Sequence, residues 1–393
     1  MIYLDNAATT RVAPEVLEAM TPFLGDDYGN PSSIYSLAGR SASALETARQ
    51  TLADYVGASA DEIIFTGGGS EADNLAIKGW VGRKPTGHVI TSAIEHHAVL
   101  HTCQSLERDG YDLTVLPVDG NGLVDPEDVR RAIREDTALV SVMHSNNEVG
   151  TIEPIREISE VAREAEVKMH TDAVQSLGKV RLDVEELGVD MMALSAHKVH
   201  GPKGVGALYV RKGTRLRPLI EGGGQERRMR AGTENVAGIV GFGRAVELLP
   251  EEGQEAIERI RELRDKLIEG VMVGIPEVIL TGHPEKRLPN LASFCVRYIE
   301  GEGMLLSLDM LDIAASSGSA CTSGSLEPSH VLLAMGYPHE IAHGSLRLSL
   351  SRYTTEEEIE RVLEVLPPIV QRLRDMSPLY AETMKQKRTR ESG

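Results

Sequence analysis

The hydrophobic pattern changes character along the chain. Between residues 45 and 250, short apolar runs alternate with amphipathic stretches. Runs at 62–66, 88–92, 113–117, 138–143, 167–171, 190–194 and 206–210 have the length and composition of strands. Helices are predicted from Ser70 onward, over 125–134 and over 155–165. The strands are continuously apolar rather than alternating, so both faces of their sheet are covered. Together with the intervening helices, this predicts an α/β fold with a mostly parallel sheet. Near residue 250 the pattern shifts. Ile257, Ile260, Leu263 and Leu267 recur at helical spacing amid charged residues. A long amphipathic helix therefore leads into a second, smaller domain, to which a strand at 291–296 and a helix at 355–374 belong.

The length of 393 residues exceeds what one core usually organises, so two domains are expected. The net charge of −18 argues against a nucleic-acid partner, which needs a basic face. The one dense basic run, at 385–390, is expected to be a frayed tail. The three cysteines, Cys103, Cys295 and Cys321, are odd in number and lack a Cys-x-x-Cys pair, against a disulfide framework or a cysteine-rich zinc site. Without a basic-then-apolar leader or an apolar stretch near the ~20 residues that span a bilayer, a cytoplasmic, membrane-free protein is expected.

Five constellations carry candidate chemistry. Gly67-Gly68-Gly69-Ser70 joins a strand to a helix. Glycines admit close approach, and a helix start offers free N–H groups to an anion. A plain turn capped by Ser70 would read the same way. Ser195-Ala196-His197-Lys198 follows an apolar strand and precedes a glycine-rich turn. A lysine at the rim of such a sheet can lose its proton and attack a carbonyl. Chemistry alone does not separate Lys198 from Lys203 in the same loop. Asp172 ends a strand that reads as buried, where a carboxylate needs a partner such as a protonated ring nitrogen, or serves as a helix cap.

His96, His97 and His101 follow another strand. The spacing of the last two suits one helix face, but no third metal ligand is implied. His96 is placed to stack on a planar ligand or move protons. Last, Cys321 lies in a loop of small residues at about 315–330 with nothing bulky beside the thiol. Cys295, within an apolar run, reads as structural. Cys321 reads as a functional thiol.

These pieces, in this order, resemble the cysteine desulfurases of the NifS/IscS type. The likeness runs from Tyr3-Leu4-Asp5-Asn6-Ala7-Ala8 to 349–353 and the helix after it, and its most specific marks are 195–198 and the block 316–328. The resemblance implies a fold-type I pyridoxal-phosphate enzyme, with a large domain at 14–255 and a small α+β domain formed by 1–13 and 256–393. It implies a homodimer acting on L-cysteine, yielding alanine and a persulfide on Cys321 that passes to a scaffold protein for iron–sulfur clusters or another acceptor. No metal is implied in the cofactor site, although Cys321 could contact a transferred cluster.

By position, Lys198 would carry pyridoxal phosphate covalently, Asp172 would pair with its ring nitrogen, His96 would stack on it, and Gln175 would bond its phenolic oxygen. Gly69, Ser70, Ser195 and His197 would hold the phosphate, joined by Thr233 from the partner subunit. Asn147 and Arg347 would bind the substrate carboxylate, with Asn30 near them. The turn at Gly67-Gly68-Gly69-Ser70 departs from the Ser-Gly-Ala-Thr common among relatives, but Ser70 keeps the hydroxyl. A selenocysteine lyase or an aminotransferase would share the fold. A non-catalytic sulfur-relay scaffold would not explain Lys198, Asp172 and His96.

Overall fold

The computed structural model describes residues 1–83, 86–318 and 327–391. Its strands are, in chain order, β1 (Ile2–Tyr3), β2 (Ile63–Thr66), β3 (His88–Ser92), β4 (Asp112–Leu116), β5 (Thr137–Ser141), β6 (Lys168–Asp172), β7 (Met191–Ser195), β8 (Gly206–Val210), β9 (Val278–Leu280), β10 (Leu291–Val296), β11 (Ile313–Ala314) and β12 (Ser345–Ser349).

Seven of them form one sheet in the order β2-β8-β7-β6-β5-β3-β4. Strands β3 to β7 pair in parallel, and β8 runs antiparallel to both neighbours. Apolar side chains cover both faces. Phe65, Val140, Met192, Leu194 and Tyr209 pack into one core with Phe242 and Val246. Ile64, Leu139, Met191 and Leu208 pack on the other side against the helices Gly69–Val81 and His97–Arg108. The architecture is the expected α/β fold, a mostly parallel sheet covered on both faces.

A separate core gathers Leu4, Leu267, Phe294, Leu346, Ile359 and Leu366 around the antiparallel sheet β12-β10-β9. The long helix predicted near residue 250 spans Val236–Gly274, broken at Gly253 where φ is +69°. Phe242 before the break serves the first core and Leu267 after it serves the second. The N-terminal strand also crosses over, since β1 pairs with β11.

The helix predicted at 355–374 spans Glu356–Asp375, its start fixed by Thr355 and Glu358 in a reciprocal capping box. The tail beyond it departs from expectation. Pro378–Glu391 is a further helix, not a frayed end. Proline suits a first helical position because the N–H it lacks would have no partner there. Tyr380 then packs near Tyr298, with ring centroids 5.6 Å apart.

Candidate active site

Loops at the carboxyl ends of the central strands converge on a cavity of about 310 Å³. The helix start after β2 supplies Gly69 and Ser70, and the segment after β3 supplies His96. Asn147 comes from beyond β5, Asp172 from the end of β6 and Ser195 from the end of β7. Arg347, on β12, closes the site from the small sheet. Open α/β sheets bind ligands at this edge because the strand ends leave a crevice lined by loop side chains and helix starts.

Lys198 ends a 3-10 turn immediately after β7. Its Nζ donates to the carbonyls of Ala7 at 2.6 Å and Ala8 at 2.7 Å. Those carbonyls hold the amine in the cavity. Asp172 is 6% exposed, and its Oδ1 accepts from the N–H of Val174 at 2.9 Å. Burial pushes its carboxyl up to about 6, against the pull of that N–H and the Lys198 charge. Gln175 donates to the carbonyl of Ala7 at 2.9 Å. Among the described residues, its Oε1 and the Ser195 hydroxyl are buried without a partner. Groups left this way in a cavity are disposed to meet a polar ligand.

The glycine turn is tightly enclosed. A Cβ at Gly69 would lie 2.8 Å from Val174 Cγ2, and one at Gly206 would lie 2.6 Å from the backbone of Gly68. Gly68 caps the following helix at φ +151° without a side-chain bond, so Ser70 is not the cap. Its hydroxyl is left to the cavity wall. His96 instead caps the helix His97–Arg108, with Nδ1 accepting from the N–H of Ala98 at 3.1 Å. Burial, then the charges of Lys198, His330 and His101, lower its pKa to about 4, so the ring facing the cavity is neutral near pH 7.

Arg347 is 3% exposed. It donates from Nη1 to the carbonyl of Asn147 at 2.8 Å and from Nη2 to Asp5 Oδ1 at 2.9 Å. Its Nε is buried with no partner among the described residues. Two of the five guanidinium N–H groups are thus engaged, which leaves others for an anion.

The cavity thus gathers Lys198, His96, Asp172, Gln175, Gly69, Ser70, Ser195, His197, Asn147 and Arg347. Asn30 and Thr233 are exposed and do not line it within one chain. Cys321 falls outside the described residues.

Several groups escaped the sequence reading. Asp73 lines the cavity at 1% exposure, its Oδ1 3.6 Å from His170 Nε2. Burial first, then Asp172 and Glu95, drive its carboxyl well above the usual range. Its signal was available: a carboxylate among Ala72, Leu75, Ala76 and Ile77, an otherwise apolar helix face. Lys179 donates to the backbone carbonyl of Lys198 at 3.3 Å, and burial lowers its pKa to about 7. Glu148, raised by burial to about 7, adjoins the site through Asn147.

A lysine amine, a carboxylate suited to a ring nitrogen, a neutral imidazole and a tight glycine turn meet in one cavity. With the unpartnered Gln175 Oε1 and Ser195 hydroxyl, these residues fit pyridoxal phosphate. Residues 2–362 match the class-V aminotransferase family, and the chain belongs to it; the family is pyridoxal-phosphate dependent. Within that family it is a member of the cysteine desulfurases of the NifS/IscS type. It is 55% identical over 390 residues to the cysteine desulfurase IscS of Methanosarcina thermophila, covering 99% of this chain and 96% of that protein. A solved NifS-like protein superposes with a TM-score of 0.89 at 41% identity, over 95% of this chain and all of the other. A structure of SspA in complex with cysteine superposes with a TM-score of 0.79 at 39% identity, over 90% of this chain and all of that one.

Proposed function

We propose that the protein is a pyridoxal-phosphate-dependent cysteine desulfurase that converts L-cysteine to L-alanine and carries the sulfur as a persulfide on Cys321. The observation that carries this reading is the convergence of Lys198 and Arg347 on one cavity, across a likeness to desulfurases that spans almost the whole chain.

Lys198 would hold the cofactor covalently, Asp172 its ring nitrogen and His96 one face of its ring. A second N–H of the Gln175 amide remains for the phenolic oxygen. Gly69, Ser70, Ser195 and His197 would surround the phosphate. Thr233, exposed in the single chain, would complete that cradle from the partner subunit of a homodimer. When bound, pyridoxal phosphate supplies the electron sink that acidifies the substrate's α-carbon and loosens its C–S bond.

Arg347 orients the substrate by its carboxylate, with Asn147 and Asn30 beside it. The Lys198 amine removes the α-proton and returns it. The Asp172 carboxylate, mostly ionised above about pH 6, would pair with the protonated ring nitrogen of the cofactor. The Cys321 thiolate attacks the substrate sulfur. A sulfur–sulfur bond forms, the carbon–sulfur bond breaks, the bonding pair returns to carbon with a proton, and alanine leaves. Cys103 and Cys295 are unsuited to this role because burial pushes both thiols up to about 12.

The reading includes a cytoplasmic protein divided into a domain at 14–255 and a domain formed by 1–13 and 256–393. The separate cores and the break at Gly253 support the division. No described helix is long and apolar enough to cross a membrane. The reading further includes an iron–sulfur scaffold protein as sulfur acceptor.

Sulfide and alanine released from L-cysteine with a reductant test the reaction. Equimolar products are expected from the wild type and none from Lys198→Ala. Transfer of amino groups without alanine from L-cysteine would overturn the reading in favour of an aminotransferase. A strong preference for L-selenocysteine would favour the lyase.

A further inference from the structure

We propose that Glu148 is a positioning residue for the sulfur-accepting cysteine, fastening both flanks of the segment that bears Cys321 to the wall of the cavity. The proposal deepens the desulfurase reading and rests on it.

Glu148 is 5% exposed. A carboxylate at that depth costs stability unless it has partners, so its contacts report what it is there to hold. Two of the groups that meet its carboxylate flank Cys321 in sequence, and the Arg347 charge lies nearby. The Ser329 hydroxyl donates to Glu148 Oε2, and the backbone of Gly318 packs so closely on that oxygen that any side chain there would collide with it. Ser329 and Gly318 therefore meet at one carboxylate, although they lie on opposite sides of the cysteine in sequence.

Other contacts make this junction stiff. The Ser329 hydroxyl also accepts from the N–H of Leu332 at 3.2 Å, which caps the helix His330–Ala334. His330 Nε2 lies 3.0 Å from the carbonyl of Glu95. On the preceding flank, Ser316 and Arg347 exchange backbone hydrogen bonds of 3.2 and 2.6 Å. The backbone of Glu148 is itself pinned, its N–H donating to Asn146 Oδ1 at 2.8 Å.

The arrangement ties two functions to adjacent residues. The carbonyl of Asn147 holds the Arg347 guanidinium, which would orient the substrate carboxylate. The next side chain, Glu148, holds the two flanks of the cysteine segment. Substrate orientation and the anchoring of both flanks therefore originate in one short stretch of backbone. Loosening Glu148 should degrade sulfur transfer while leaving substrate binding and the cofactor in place.

The test uses the holoenzyme with Glu148→Ala, Ser329→Ala and Glu148→Gln. It reads kcat and KM for alanine formation from L-cysteine, and the visible absorbance of the bound cofactor before and after substrate is added. Misplacing a reacting group by about 1 Å can cost about 100-fold in rate. The alanine variants are therefore expected to lose roughly 10- to 100-fold in kcat, with KM within about two-fold of wild type. Their absorbance before cysteine is added should match wild type, and cysteine should still change it. Glu148→Gln keeps an acceptor for Ser329 and should recover most of kcat.

Unchanged kcat in both alanine variants would overturn the proposal. So would a loss of cofactor absorbance or a rise in KM that tracks the loss of kcat, since that is the behaviour of a general structural residue. Should Glu148→Ala fail to fold, Ser329→Ala and Glu148→Gln decide the question alone. Absence of alanine from the wild type would instead defeat the desulfurase reading.

Discussion

Replacing Arg347 by lysine separates the orientation of substrate from the holding of cofactor. The guanidinium is fixed by two hydrogen bonds, to Asn147 and Asp5, and keeps a buried, unpartnered Nε–H for a third. A lysine keeps the charge, but from one compact ammonium it cannot reproduce this directed set. Hydrogen bonds to charged groups contribute about 1.5–3 kcal/mol. At about 1.4 kcal/mol per factor of ten, losing the contact to the substrate carboxylate should lower kcat/KM for L-cysteine roughly 10- to 150-fold. Most of the loss should appear as a higher KM, because the carboxylate is bound in both ground and transition states. Steady-state alanine production across a cysteine titration gives the numbers. Retained cofactor absorbance and an unchanged thermal midpoint establish that the site is intact. An Arg347→Lys enzyme with wild-type KM would refute the assignment of this arginine to the carboxylate.

Three further outcomes are expected. Gly206→Ala places a methyl group against the backbone of Gly68 and the carbonyl of Leu194; urea unfolding should show a loss of about 1–3 kcal/mol, and dialysis should show faster release of cofactor. His144 is buried, at 5% exposure, and neutral, its pKa lowered by burial from 6.5 to about 4. Below pH 6.5 the unfolded chain takes a proton that the folded chain refuses, so this contribution is whole above pH 6.5 and lost as pH falls to about 4. Its full size is about 3 kcal/mol, and apo-protein unfolded by urea between pH 7 and pH 4 should show a shallower loss for His144→Asn than for wild type. Alkylation of the native protein at neutral pH should leave Cys103 and Cys295 unmodified, since both are buried and poorly ionised; mass spectrometry of the peptides shows whether either is labelled.

The parts of the fold that were legible in the sequence are those whose environment imposes a simple pattern. Strands such as Met191–Ser195 and Gly206–Val210 are buried along their whole length, so they appear as unbroken apolar runs. The residues just beyond those runs, Lys198 among them, fall at the sheet edge for the same reason. The helix Ser36–Val56 was largely missed because much of its buried face is Ala38, Ser41, Ala48 and Ala53, which give little hydrophobic contrast. Strands β1 and β11, of two residues each, owe their existence to pairing across 311 positions of chain. The Glu148–Ser329 contact spans 181 positions and leaves no local trace. Asp73 did leave one, as a lone acid on an apolar helix face. Asn30 and Thr233 were named from family resemblance alone, and both are exposed outside the cavity lining of this chain.

The decisive question is where the sulfur goes. Holoenzyme incubated with one equivalent of L-cysteine and no reductant, then digested and analysed by mass spectrometry, reports it directly. One added sulfur on the peptide bearing Cys321, with an equal amount of alanine released, is the expected result. Full alanine production by Cys321→Ala, or the added sulfur on another residue, would contradict the account.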